Sequence, residues 1–213
     1  MELILSPPNT CDVKYNRDCP PKGGCVVSAI KSHTEILNQC IQQGEYDMDC
    51  SRALKYVVHF LGDITQPLHC SKNGRGGNEV YIKFDSLRRS LHHVPPTVDR
   101  LTKIWDSDIP EKLVKQLDPP NFRTWTSSLE QRINSDPSSF LNPPTDWIRC
   151  IDPNTSEKCA IEWAEESNAF TCSFVYLNYE DQDLGGDYFD GAVPIVETQV
   201  AKGMLLLDVL ADD

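Results

Sequence analysis

Nowhere in the 213-residue chain do about 18 apolar residues follow one another, so no segment is built to cross a bilayer as a helix. The opening Met1-Glu2-Leu3-Ile4-Leu5 is too short and too acidic for a secretory leader, so processed export is not encoded here. Positive charge is scarce: 20 Lys and Arg stand against 32 Asp and Glu, a net charge of −12. Such a field repels nucleic acid and anionic membranes, and a role in processing polyanions requires a local positive source. Bound metal cations are one such source. No C-x-x-C pair occurs, which argues against a zinc knuckle or a dithiol redox motif. Strand-like alternation, internal repeats and low-complexity tracts are also missing or rare, which leaves one soluble helical domain as the expectation.

What is abundant is cysteine, nine in all, a number that suits a disulfide framework in oxidising surroundings. Spacing proposes local bridges between Cys19 and Cys25, Cys40 and Cys50, and Cys150 and Cys159, with Cys11 and Cys172 available to tie the two ends. Cys70 is left over beside His69, either an ordinary unpaired thiol or a ligand. Asn154-Thr155-Ser156 is a glycosylation acceptor triplet and points weakly to secretion. The absence of a leader contradicts that setting, and the simplest expectation is that the true N-terminus is missing.

Proline and glycine make residues 1 to 24 an irregular lead-in with no helix before Gly24. Val26, Ile30, Leu37 and Ile41 predict a helix ending near Gly44. A second helix is expected from about Cys50, capped by Asp49 or Ser51, with Leu54, Val57, Val58 and Leu61 as its apolar stripe and Pro67 as its limit. Residues 73 to 78 read as a loop, and Val80, Ile82 and Phe84 as a short strand. Residues 86 to 100, rich in Arg, His and Pro, read as a loop insertion, with further helices near 110–117, 122–134, 158–174 and 187–210. The fold class is all-α, a single disulfide-stapled domain over residues 1 to 213 with one short strand or hairpin.

Two of only five histidines fall within the run His59-Phe60-Leu61-Gly62-Asp63-Ile64-Thr65-Gln66-Pro67-Leu68-His69. His59 and Asp63 are four residues apart and project from one helix face, where they are able to reach a single cation. Imidazole with carboxylate suits zinc, and open positions on such an ion make water a nucleophile near neutral pH. On spacing alone, a hydrogen-bonded helix face is the competing reading.

That run, followed by Gly76-Gly77-Asn78 and Trp105-Asp106, resembles the signature H-F-x-G-D-x-x-Q-P-L-H … G-G-N … N-L-H-x-x-W-D of the nuclease S-one and nuclease P-one family. These are zinc-dependent single-strand nucleases of fungi and plants that share a fold with bacterial zinc phospholipase C. The resemblance extends to Cys11 through Ile30, to Trp163-Ala164-Glu165-Glu166-Ser167 and to Gln199-Val200-Ala201-Lys202-Gly203.

The resemblance implies a mainly helical, secreted, monomeric glycoprotein that uses three zinc ions to hydrolyse phosphodiester bonds in single-stranded DNA, RNA and 3′-nucleotides. His59 would bind one zinc of a close pair and Asp63, the catalytic carboxylate, would bridge that pair. His69 would bind the third ion with Asp106. Gly77 and Asn78 would lie near substrate, and the family pattern pairs Cys11 with Cys172 and Cys19 with Cys25. In register with Trp105-Asp106, Thr102 stands where the family has a histidine ligand; His92 is either a replacement that folds back or an exposed loop residue. The family's ligands ahead of Pro7-Pro8 have no counterpart, so the expectation is an N-terminally truncated member. Two functional readings follow: a zinc-dependent endonuclease, or a relative that keeps the disulfide scaffold without a complete zinc cluster. Phospholipid hydrolysis on the same fold is a remote third.

Overall fold

A computed structural model describes residues 12–44, 47–85, 99–150, 155–177, 179–180 and 182–212. Helix α1 (Tyr15–Asp18) is one turn that the sequence reading missed, since the proline and glycine cluster follows it. Asp18 closes that turn by accepting the Lys14 backbone N–H at 2.8 Å. A disulfide between Cys19 and Cys25 then delivers the chain to α2 (Val26–Gln43), which starts at the predicted residue and ends on Gly44 at φ +66°. Glycine adopts that left-handed conformation without Cβ strain.

Helix α3 (Met48–Thr65) is capped by Asp47 rather than Asp49 or Ser51. Asp47 is still extended, so its carboxylate reaches the N–H groups of Asp49 and Cys50 at 2.9 Å each. The disulfide between Cys40 and Cys50 staples the two helices into a hairpin. The face that α3 buries is Ala53, Val57, Phe60, Leu61 and Ile64. That corrects the predicted stripe: Leu54 and Val58 are 54% and 43% exposed. Both faces repeat at helical spacing, and the sequence alone does not tell which meets a neighbour.

The predicted strand shrinks to β1 (Tyr81–Ile82), paired antiparallel with β2 (Asp99–Arg100). The last two residues of the expected insertion are therefore paired, and its remainder, 86–98, lies outside the described residues. Helix α4 (Leu101–Lys103) runs into a π-helical turn (Ile104–Asp108) and then α5 (Ile109–Val114). After α6 (Phe122–Ser135) and α7 (Pro144–Trp147), α8 (Ser156–Phe170) also ends in a π turn, and α9 (Asp187–Asp212) is the longest element. The architecture is all-α, as expected.

Two hydrophobic clusters hold these helices. One joins Leu101, Ile104, Trp105, Trp125, Leu129 and Trp147 to Phe189, Ala192 and Ala201 of α9. The other joins Val27 and Ile30 of α2, Phe60, Leu61 and Ile64 of α3 and Ala160 and Ala164 of α8 to Leu206 of α9. Leu68 belongs to the first and Cys70 to the second, so the segment after α3 is anchored in both. The proposed Cys150–Cys159 bridge is not formed. Both are free thiols. Cys172 is disulfide-bonded, and its expected partner Cys11 lies outside the described residues, as does Asn154. Among the described residues no helix is long and apolar enough to cross a membrane.

Candidate functional site

Pro67 determines where α3 stops, because the residue before a proline is pushed out of helical geometry; Gln66 accordingly sits at φ −85°, ψ 118°. Pro67 then opens a 3₁₀ turn, Pro67–Cys70, that folds the chain back on itself. The reversal brings His69 to Asp63, with Nδ1 3.4 Å from Oδ1, while His59 Nε2 lies 3.3 Å from Oδ2 on the other side. Each Asp63 oxygen therefore faces a different imidazole. Asp106 arrives from the π turn after β2 and places Oδ1 3.5 Å from His69 Nε2. Inserted π turns of this kind often mark functional sites, because the extra residue re-aims the side chains around it. The four predicted residues thus form one continuous row.

Sequence reasoning did not single out the amides that hold this row. Gln66 accepts the Leu68 backbone N–H through Oε1 and donates from Nε2 to Asp106 Oδ1 at 2.6 Å. From α9, Gln199 donates to the Thr65 carbonyl at 2.6 Å and to Ser167 Oγ at 2.8 Å. From α8, Asn168 donates to the Cys70 carbonyl at 2.7 Å. The available signal was a glutamine on α9 between Val196 and Val200. Trp105, beside Asp106, is fixed by donating to Tyr188 Oη at 3.1 Å.

Of the Gly-Gly-Asn loop, Gly76 touches the site segment. A Cβ there would sit 2.7 Å from the Leu68 carbonyl oxygen, and φ is +65°. Gly77 is buried, and Asn78 donates to Arg75 of its own loop at 3.0 Å. His92 lies outside the described residues, and Thr102 is placed only by its backbone in α4. The Cys70 thiol is buried and faces the Ile64 carbonyl, and burial pushes its pKa up to about 12.

Burial by itself would lower the His69 pKa, but the facing carboxylates of Asp63 and Asp106 outweigh it and the net shift is upward. His59 is the open end of the row, its side chain 65% exposed against 22% for His69. Adjacent donors 3.3 to 3.5 Å apart match the edge of a coordination polyhedron with bonds of about 2.0–2.1 Å. The donor chemistry fits zinc in pairs. Among the described residues, however, no three His, Cys, Asp or Glu side chains converge as an ion would require. Alongside the row lies a cleft of about 330 Å³ walled by Pro67, Pro110, Val196 and Val200.

The family model for S1/P1 nucleases matches residues 6–210. Nuclease PA3 of Penicillium sp. is 31% identical over 202 residues, covering 93% of this chain and 69% of that protein. Nuclease S1 of Aspergillus oryzae is 32% identical over 203 residues, covering 92% and 64%. Endonuclease 2 of Arabidopsis thaliana is 30% identical over 210 residues, covering 93% and 66%. The chain therefore spans 64–69% of the length of these relatives.

Proposed function

The chain belongs to the S1/P1 nuclease family, and from that premise we propose that it hydrolyses phosphodiester bonds of single-stranded nucleic acid and 3′-nucleotides with zinc as cofactor. The observation that carries this reading is Asp63, one carboxylate oxygen against each of two imidazoles. His59 and Asp63 would hold one ion, and His69 and Asp106 a separate one. Zinc, when bound, supplies Lewis-acid polarisation of the scissile phosphate and positive charge against its oxygens. That charge reverses locally the repulsion expected of a chain at −12.

The protein's own residues have distinct parts in this reading. Asp63 orients both imidazoles and keeps their ring nitrogens aimed at the cations. His59, the exposed end, meets substrate first. Pro67, Pro110, Val196 and Val200 give the cleft an apolar wall beside the carboxylates, suited to excluding water from one side of a bound nucleotide. The disulfides Cys19–Cys25 and Cys40–Cys50 support function in oxidising, extracellular surroundings.

The test is cleavage of matched single- and double-stranded DNA and RNA by the purified chain with added zinc, with chelator, and with His59→Ala and His69→Ala. Zinc-dependent loss of the single-stranded substrates, abolished in both variants, is the expected result. Intact substrate at every zinc concentration sinks the reading. A second reading, a relative that keeps the scaffold without turnover, is favoured by the absence of three converging donors among the described residues. Stoichiometric zinc with cleavage rejects that one.

A further inference from the structure

Gln66 is the one polar residue between Asp63 and His69 that reaches a candidate ligand from another element, and no ligand role absorbs it. We propose that Gln66 is a positioning residue that sets the carboxylate plane of Asp106 for an ion shared with His69; the inference rests on the zinc reading above.

Its amide has one orientation. Oε1 accepts the backbone N–H of Leu68, so Nε2, the end that donates, faces Asp106 Oδ1 at 2.6 Å. The N–H it caps belongs to the 3₁₀ turn that carries His69, and the carboxylate it grips lies forty residues away in the π turn. A single side chain therefore couples the two places from which the ion would take its ligands. Asp106 is 37% exposed at its side chain, and the Gln66 amide is a hydrogen-bond tether on it. A hydrogen bond to a ligating carboxylate fixes its orientation and so its contribution to affinity, and outer-shell partners of this kind typically matter by about 10–100-fold.

Zinc affinity, measured on the full chain by competition with a chromophoric chelator, tests this with Gln66→Met, Asp106→Asn and the double variant. Gln66→Met is expected to weaken binding by about 10–100-fold in the wild-type background and no further in the Asp106→Asn background. Thermal melts without metal separate the second consequence, loss of the Leu68 cap, which lowers the midpoint equally in both backgrounds. Unchanged affinity in Gln66→Met overturns the inference, as does an equal fold-loss in both backgrounds, which would mark a general loosening of the turn. A wild-type chain that binds no zinc overturns the underlying reading and this inference with it. A zinc-binding wild type indifferent to Gln66 overturns this inference alone.

Discussion

Gln199 Nε2 lies 2.6 Å from the carbonyl oxygen of Thr65, so α9 completes the C-terminal end of the helix that carries His59 and Asp63. The last carbonyls of a helix have no partner of their own, and here the site begins where they do. Gln199→Leu leaves a buried carbonyl unsatisfied and is expected to destabilise the fold by about 1–3 kcal/mol. Urea unfolding measures it, and a wild-type midpoint in the variant would show that the contact contributes nothing.

Gly76 and Gly62 should respond to alanine in opposite directions. At Gly76 the methyl group meets the Leu68 carbonyl oxygen at 2.7 Å with φ at +65°, whereas nothing lies within 4 Å of a Cβ at Gly62 inside α3. Gly76→Ala should therefore cost more than about 1 kcal/mol, and Gly62→Ala should stabilise by about 0.5–1 kcal/mol through helix propensity. Thermal melts of the two variants under one condition decide it; a shift of the same sign in both removes the argument.

Spacing alone paired only His59 with Asp63, i and i+4 on one helix face, and the resemblance to the nuclease family added His69 and Asp106. Spacing did not carry the α3 face, since Leu54 and Val58 repeat at the same interval as Ala53 and Val57, and only the positions of α2, α8 and α9 decide between them. The π turns at Ile104–Asp108 and Thr171–Val175 leave no periodic trace over five residues. Gln66, Asn168 and Gln199 act through bonds made across 40, 98 and 134 positions, a separation at which composition and spacing say nothing. Cys150 and Cys159 show the converse limit: a separation of nine positions allows a bridge without dictating which way either sulfur points.

Acid and zinc should act on His69 in opposite senses. Its folded pKa is raised above the ordinary imidazole value by Asp63 and Asp106. In metal-free protein the protonated ring contributes stability that is fully present below the unfolded pKa of about 6.5 and is lost as pH rises through the folded value. Zinc requires the neutral ring, so its binding weakens as pH falls through that same range. Metal-free melts should give a higher midpoint near pH 6 than near pH 8 from this group, zinc-loaded melts the reverse, and His69→Gln should remove the difference. A metal-free profile that His69→Gln leaves unchanged would place the linkage elsewhere.

The ion pair behind the site is asymmetric, and its two single variants should differ accordingly. Lys202 is 0% exposed on α9 and donates to Glu166 on α8, which is 30% exposed and also accepts from Asn142 at 3.2 Å. Removing the carboxylate strands an ammonium group in the interior, where an uncompensated charge costs about 3–5 kcal/mol. Removing the lysine instead leaves a carboxylate that keeps both solvent and Asn142, and a linear apolar side chain fills nearly the same volume. Glu166→Ala should therefore lower stability by several kcal/mol, and Lys202→Met should cost about 1.5 kcal/mol or less. In the double variant the penalty of losing Glu166 should largely vanish, since no buried cation remains to be stranded. Denaturant unfolding of the three proteins measures these differences, and a Glu166→Ala cost that persists undiminished beside Lys202→Met would show that Glu166 stabilises the fold through Asn142 rather than through Lys202.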